Sequence, residues 1–260
     1  MGDGSSASGR FVWHDLMSTD PETSKDFYNR LLGWKTEPRD MGAAGTYHYI
    51  LSAGRRIGGI IHLDESHRLQ SHWISYLAVD DVDDVARRMP DLGGKVGVPP
   101  TEVPGIGRFA VCSDPTGARF SPFKGDEVTA GCEDAPFPGG FCWTELLTTD
   151  TATAADFYRE ICGWSTREVE LGDTGKYTIF KRGDDDAAGM MQIPADRRSA
   201  SNWQVYVAVE DVDDCALMAG ELGGRVLVRP TDVPSVGRLS VIADTLGSTL
   251  AVVEILVEAA

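Results

Sequence analysis

The chain has 260 residues, and its 40 acidic against 24 basic side chains give a formal net charge of −16. Hydrophobic residues make up 42% and charged residues 25%, a composition that excludes collagen-like, low-complexity and fully disordered chains. The negative charge argues against binding to nucleic acid or to an anionic membrane surface, and no apolar run reaches the roughly 18 residues of a membrane span. The length favours two domains.

The N-terminal segment and the cysteines indicate the compartment. Residues 1–10 are rich in Gly and Ser and lack the apolar core of a signal peptide, so we predict a disordered tail there. The five cysteines are odd in number and show no CxxC spacing, which argues against a disulfide framework and against a zinc ribbon. We therefore predict a cytoplasmic protein with reduced cysteines.

The sequence is an internal duplication with an offset of 130 residues. The segment STDPETSKDFYNRLLGW recurs as TTDTATAADFYREICGW, and YLAVDDVDD recurs as YVAVEDVDD. Each copy has the size of a domain, which excludes a solenoid of short repeats. We predict copy one over residues 11–124 and copy two over residues 141–256. Residues 125–140, rich in Gly, Pro and acidic side chains, are predicted to be a linker.

Each copy contains the same order of elements twice. After a β-rich run, Asp20 and Pro21 begin a helix as its N-cap and first residue, Gly33 ends it, and three β-rich runs follow. The order then repeats, with a second helix predicted from Asp81 to about Leu92. The chain thus reads as four βαβββ modules of an α+β fold. Two modules side by side would form a cup-shaped sheet with helices on its outer face, and its concave face is a natural small-molecule pocket.

These segments, together with the turn SDPTG, resemble the vicinal oxygen chelate superfamily. That superfamily includes glyoxalase I, extradiol dioxygenases, fosfomycin-modifying enzymes and bleomycin-binding resistance proteins. The resemblance covers nearly all of both copies and implies two glyoxalase-like cup-shaped sheets. It does not imply one activity, because this fold hosts several chemistries. Metal-using members hold a divalent ion through a His or Gln on the first strand, a His on the fifth and a Glu on the last.

The resemblance places the metal-ligand positions on residues that are mostly unsuited to a metal. These positions hold Trp13, Ile74 and Ser121 in copy one and Trp143, Gln204 and Ala251 in copy two. Of these, only Gln204 could bind a metal, weakly, through its amide oxygen. A mononuclear site needs several His, Glu or Gln side chains that converge, whereas all histidines lie in copy one. We therefore predict neither a standard metal site nor another cofactor.

Strand parity predicts which side chains line the concave faces, because side chains alternate across a strand. On the first strand of each copy, Val12 and Cys142 are predicted to pack under a helix. The predicted lining residues are Trp13, Asp15, Ile74, Tyr76 and Ser121 in copy one and Trp143, Glu145, Gln204 and Tyr206 in copy two. Each face thus holds a Trp, a carboxylate and a Tyr. This set fits a stacking surface for a flat ligand with polar anchors, or alternatively a core filled by the Trp.

Two metal-independent functions are compatible with these faces. The first is binding of a bulky aromatic or cationic small molecule, such as an antibiotic or a natural-product intermediate. The second is an enzyme, namely an isomerase, a cyclase or a hydroxylase accessory. In it, Asp15 or Glu145 would act as general acid or base with Tyr76 or Tyr206 as partner.

A third function is a metal-dependent glyoxalase or dioxygenase with displaced ligands, for which His14, Glu145 and Gln204 are the candidates. Strand parity argues against it, because His14 alternates away from the concave face. In all three cases the expected partner is a small-molecule ligand or substrate, and neither nucleic acid nor a membrane. A chain with four modules is complete as a monomer and equally compatible with a homodimer.

Overall fold

The computed structural model describes residues 8–42, 45–64, 66, 69–125, 136–170, 175–195, 199–234 and 236–255. Residues 1–7 of the predicted tail and 126–135 of the predicted linker lie outside these ranges. Gly9, near the end of the predicted tail, lies within these ranges, and its carbonyl accepts a hydrogen bond from Trp164 Nε1 at 3.0 Å.

Copy one consists of two βαβββ modules in the predicted order. Module 1 contains β1 (Phe11–Ser18), α1 (Pro21–Leu32), β2 (Lys35–Asp40), β3 (Thr46–Ser52) and β4 (Arg55–His62). Module 2 contains β5 (His72–Ala78), α2 (Val82–Arg88), a short 3-10 helix (Pro90–Leu92), β6 (Lys95–Val103), β7 (Gly107–Ser113) and β8 (Arg119–Gly125).

Copy two repeats this arrangement. Module 3 contains β9 (Phe141–Thr148), α3 (Thr151–Cys162), β10 (Ser165–Glu170), β11 (Lys176–Arg182) and β12 (Asp185–Gln192). Module 4 contains β13 (Asn202–Ala208), α4 (Val212–Glu221), β14 (Arg225–Val233), β15 (Gly237–Ala243) and β16 (Thr249–Ile255). Within the described ranges, no helix is long and apolar enough to cross a membrane.

The helix ends follow local sequence signals, with one departure. Asp20 caps α1 by accepting a hydrogen bond from the Thr23 amide at 3.1 Å, and Gly33 ends the helix with φ +68°. The second helix ends earlier than predicted, at Arg88, and gives way to the short 3-10 helix at Pro90. Proline has no amide hydrogen for the helical ladder and clashes with the preceding turn, whereas α4, without a proline there, continues to Glu221.

Each copy forms one eight-stranded mixed sheet, with the order β2-β3-β4-β1-β5-β8-β7-β6 in copy one and β10-β11-β12-β9-β13-β16-β15-β14 in copy two. Within module 1, β1 pairs with β4 in parallel, and β2, β3 and β4 pair in antiparallel fashion. Module 2 repeats this pattern through β5 and β8. The structure confirms the α+β class, and it shows that the two modules of one copy share a sheet.

The hydrophobic cores between helices and sheets, which we call helix-facing cores, combine modules of different copies, whereas each sheet combines the two modules of one copy. By internal contacts the chain divides into two compact units. The first unit comprises Met1–Trp13, Ser75–Cys132 and Thr144–Trp203, and the second comprises His14–Ile74, Glu133–Trp143 and Gln204–Ala260. Module 2 therefore packs with module 3, and module 1 packs with module 4.

Large aromatic side chains fill both cores. In the first unit, Phe120 of module 2 packs with Tyr158 and Trp164 of module 3. In the second unit, Trp34 of module 1 lies in one cluster with Val212 of module 4. Complete burial of one such side chain stabilises the folded state by roughly 1.5–3 kcal/mol, and each core contains buried side chains of both copies.

A buried tyrosine–aspartate pair recurs in the two units. In the first, Tyr158 Oη donates to Asp114 Oδ2 at 3.1 Å and accepts from Trp203 Nε1 at 2.8 Å. In the second, Tyr28 Oη donates to Asp244 Oδ2 at 3.1 Å. Asp114 is the aspartate of the turn SDPTG, and Asp244 is its equivalent in copy two. Each pair ties a helix of one copy to a turn of the other.

Candidate functional site

Each sheet has one face towards its helices and an opposite face, which we call the helix-free face. On β13, Val205 and Val207 belong to the helix-facing core. Tyr206, between them, packs instead with Ala251 and Val253 of β16. The helix-free face is the one on which the sequence predicts ligand-binding residues.

Asp15 is held on the helix-free face of module 1 by a tyrosine. Its side chain is buried, and Tyr47 Oη donates a hydrogen bond to its Oδ1 at 2.8 Å. Asp15 and Gly59 are register partners on β1 and β4. A Cβ at Gly59 would overlap Tyr47 Oη and lie 2.6 Å from Asp15 Oδ1. The missing side chain at Gly59 therefore leaves the space that this hydrogen bond occupies.

Replacing Gly59 by Ala should break the bond between Tyr47 and Asp15. The added methyl group displaces the hydroxyl and leaves a buried carboxylate with one donor fewer, which should lower the free energy of unfolding by about 1–3 kcal/mol. Urea unfolding of the whole protein measures this change. Gly97→Ala is the control, because a Cβ there would lie 3.5 Å from the Val111 carbonyl oxygen, an ordinary contact. Equal midpoints for Gly59→Ala and wild type would contradict the steric argument.

Tyr47 and Tyr49 form a half-buried aromatic surface beside Asp15, which we call the tyrosine platform. Their ring centroids are 5.0 Å apart with an interplanar angle of 76°. Arg39 Nη1 donates to Tyr49 Oη at 2.7 Å, and the guanidinium of Arg56 lies 4.2 Å from the centre of the Tyr49 ring. A cavity of about 300 Å³ adjoins the platform and is lined by Glu37, Pro38, Arg39, Tyr49 and Arg56.

The remaining predicted residues of copy one divide between the units. Tyr76 and Ser121 are register partners on β5 and β8 in the first unit. Tyr76 packs against Phe123 at a centroid distance of 5.8 Å, whereas Ser121 is fully buried and donates to the Ala110 carbonyl at 2.7 Å. The Ser121 hydroxyl is thus already used within the sheet.

Trp13 and Ile74 are the last residues of two chain segments that belong to different units. Trp13 is half-buried and belongs to the first unit, whereas Ile74 is buried and belongs to the second, with Asp15. Tyr47, rather than the predicted Tyr76, is bonded to Asp15. The acid–base role of Asp15 stays a prediction.

In copy two, the helix-free face of module 4 brings Trp143 and Tyr206 together. Both side chains belong to the cluster formed with Ala251 and Val253. Cys142 packs against the same cluster, and its Sγ lies 3.6 Å from the Tyr206 carbonyl oxygen. The predicted position of Cys142 under a helix is therefore wrong.

The same error occurs at the equivalent position of copy one. Val12 packs with Ala78 and Phe123 in a cluster that includes Tyr76, not under a helix. Strict alternation fails at the start of β9, where the consecutive residues Cys142 and Trp143 pack against the same cluster. In copy two, the Ala208 amide donates to the Gly140 carbonyl at 3.0 Å, whereas the later half of the strand pairs with β12.

Glu145 and Gln204 are both buried, but in different units. Glu145 is the register partner of Gly189 on β12, as Asp15 is of Gly59 on β4. Gln204 Nε2 donates to the Thr249 carbonyl at 3.1 Å. The general acid or base role of Glu145 also stays a prediction.

The family positions for metal ligands do not fit a metal ion in this chain. Ile74 and Ala251 have no donor atom, a tryptophan offers only an N–H group, and the Ser121 hydroxyl is bonded to the backbone. Within the described residues, no group of three or more His, Cys, Asp or Glu side chains could hold a metal ion. We therefore derive no chemical step through a metal.

His14, one of the candidate displaced ligands, lies in the helix-facing core of the second unit. Its side chain is buried, and its ring centroid is 4.5 Å from that of Phe141. Burial lowers the pKa of His14 to about 3, because a charged imidazolium would lose its hydration there. This position keeps His14 neutral and away from the helix-free face.

Sequence analysis missed Tyr47, Tyr49 and Arg39. One signal was available, because Tyr47 and Tyr49 alternate along β3 and therefore share a face. The pairing of β3 with β2 and β4 was needed to place that face beside Asp15. The alternation of side chains along one strand does not reveal which strands are neighbours in the sheet.

A family model described as the Glyoxalase/Bleomycin resistance protein/Dioxygenase superfamily matches residues 10–121 and 140–252. The chain therefore belongs to this superfamily and carries its domain in two tandem copies. This confirms the family that the sequence motifs resemble.

Two curated relatives match along almost the whole chain. One is "Putative glyoxylase CFP32" of Mycobacterium tuberculosis, 32% identical over 245 residues that cover 93% of each protein. The other is "Anthracycline biosynthesis protein DnrV" of Streptomyces peucetius, 32% identical over 263 residues that cover 96% of this chain and 94% of the relative.

Solved structures support the fold. The 2,3-dioxygenase LapB from Pseudomonas sp. KL28 matches with a TM-score of 0.64 and 14% identity, covering 94% of this chain and 91% of that one. The Mn(II)-bound glyoxalase from Novosphingobium aromaticivorans matches with a TM-score of 0.63 and 17% identity, covering 95% and 82%. At these identities the likeness shows the fold alone.

Proposed function

We propose that this chain binds a bulky aromatic small molecule on the helix-free faces of its sheets. The tyrosine platform carries the proposal. Its two rings are half-buried, and their hydroxyls are held by the buried Asp15 and by Arg39. Rings that are fixed before binding lose little conformational freedom when a flat ligand stacks on one of them and contacts the edge of the other.

Two further observations support an aromatic ligand. The relative DnrV is named for anthracycline biosynthesis, and anthracyclines are planar polycyclic aromatic compounds. On the copy-two face, Trp143 and Tyr206 lie in one cluster and supply a second aromatic surface. In this proposal the protein binds and orients its ligand through stacking and hydrogen bonds, and Asp15 acts as a positioning residue for Tyr47.

Titration of the whole protein with an anthracycline, followed by quenching of the ligand's fluorescence, tests the proposal. We expect saturable binding, and Tyr47→Ala and Tyr49→Ala should each weaken it by ~3- to 10-fold, since an aromatic pair contributes about 0.5–1.5 kcal/mol beyond area burial. Val98→Ala, at an exposed position of β6, is the control and should bind as wild type does. Absence of saturable binding, or equal affinity of all variants, would overturn the proposal.

A further inference from the structure

The two copies carry the same ion pair with its charges exchanged. In copy one, Arg56 Nη2 lies 3.0 Å from Glu37 Oε2. At the equivalent positions of copy two, Arg167 Nη2 lies 3.5 Å from Asp186 Oδ2. In copy two, Lys181 Nζ also lies 2.9 Å from Asp186 Oδ1, so the contrast between the two faces rests on Arg39 and Tyr49 and not on the net charge of these pairs.

Arg39 and Tyr49 are what distinguishes the copy-one face. The equivalent residues of copy two are Val169 and Ile179, which are apolar. Arg39 donates through Nη1 to Tyr49 Oη at 2.7 Å, and it forms no salt bridge within the part of the chain that the structure describes. Among the side chains that line the 300 Å³ cavity, Glu37 offsets the charge of Arg56 and Arg39 adds one positive charge, in a chain whose net charge is −16.

The guanidinium of Arg39 has the geometry for a planar anion. Arginine presents five N–H donors in a flat fork that matches a carboxylate, and Tyr49 uses one of them. The contact to Tyr49 also fixes the fork at the edge of the tyrosine platform. A ligand whose aromatic rings stack on the platform would thus place a ring substituent against this fork.

We propose that the copy-one face selects an aromatic carboxylate, with Arg39 binding the carboxylate and Tyr47 and Tyr49 contacting the rings. The copy-two face, with Val169 and Ile179, does not make this selection. The inference rests on the proposed function, and it adds the charge of the ligand and the residue that recognises it. Arg39 is then a specificity-determining residue that the duplication did not preserve.

Calorimetric titration with two matched probes tests this inference. The probes are 2-anthracenecarboxylate and 2-anthracenecarboxamide, which share the ring system and differ in charge. Wild-type protein should bind the carboxylate ~10-fold more tightly than the amide, since a hydrogen bond between two charged groups is stronger than one to a neutral amide. Arg39→Gln should remove this preference, because it weakens binding of the carboxylate more than binding of the amide.

Two further variants strengthen the test. Arg39→Val combined with Tyr49→Ile installs the copy-two residues and should also abolish the preference. Arg159→Gln removes one positive charge from the exposed surface of α3 and should preserve the preference for the carboxylate.

A preference that survives Arg39→Gln, or equal wild-type affinity for both probes, would overturn the inference while the proposed function stands. If neither probe binds to wild type, the proposed function fails as well.

Discussion

Replacing Tyr158 by Ala should destabilise the protein by about 3–5 kcal/mol, the range for deleting a large aromatic side chain from a core. Tyr158 is fully buried, stacks on Trp164 at 5.6 Å and contacts Phe120 of the other copy at 5.7 Å. Its loss opens a cavity at the contact between modules 2 and 3. Chemical unfolding of the whole protein, followed by tryptophan fluorescence, measures the change.

The variant Tyr158→Phe separates the hydroxyl from the ring. It retains the ring contacts but removes the donor to Asp114 and the acceptor for Trp203 Nε1. Because both partners are buried, we expect a loss of about 1–3 kcal/mol. If Tyr158→Phe cost as much as Tyr158→Ala, the ring would contribute nothing to stability, contrary to the packing argument. If Tyr158→Ala lowered the free energy of unfolding by less than about 1 kcal/mol, the packing of Tyr158 in this core would be contradicted.

Acidification from pH 7 to pH 5 should lower the free energy of unfolding by about 2 kcal/mol through His14 alone. Burial holds the pKa of His14 at about 3 in the folded protein, against an ordinary value of 6.5. Between these two values the unfolded chain binds a proton that the folded chain does not. The stability is therefore fully present above pH 6.5 and is lost as the pH falls towards 3.

The matched variant for this prediction is His14→Thr. Copy two has a buried Thr144 at the equivalent position, so the sheet accommodates this residue there. The variant should be less stable at pH 7, because the smaller side chain leaves space beside Phe141. Its unfolding free energy should nevertheless depend less on pH between 5 and 7. Parallel urea unfolding curves for both proteins decide the matter, and equal pH slopes would contradict the buried, neutral state of His14.

Most of the fold could be predicted from local signals. The caps Asp20 and Gly33 mark the first helix because they satisfy backbone groups within a few residues of themselves. On β13 the side chains alternate regularly, and Tyr206 packs with Ala251 and Val253 on the helix-free face, whereas its role in ligand binding stays a prediction. Parity failed at Val12 and Cys142, at the start of their strands, where alternation is not strict because the consecutive residues Cys142 and Trp143 contact one cluster.

The candidate site was predicted only in part. Asp15 followed from parity, whereas its partner Tyr47 depends on strand order and on the space above Gly59. The sequence shows that copy two has Val169 where copy one has Arg39, but it does not show which side chains Arg39 contacts. Only the structure shows that Arg39 donates a hydrogen bond to Tyr49, and that Glu37 forms its ion pair with Arg56 and not with Arg39.

The sequence by itself determined the duplication, the four modules and the family, because repeated motifs and helix caps are local and survive in both copies. Only the tertiary structure decided how the modules combine, with sheets formed within a copy and cores formed between copies. The physical reason is that the modules present similar apolar faces, so hydrophobic pattern alone is satisfied by more than one pairing. The bonds from Tyr158 to Asp114 and from Tyr28 to Asp244 accompany the pairing that the structure shows.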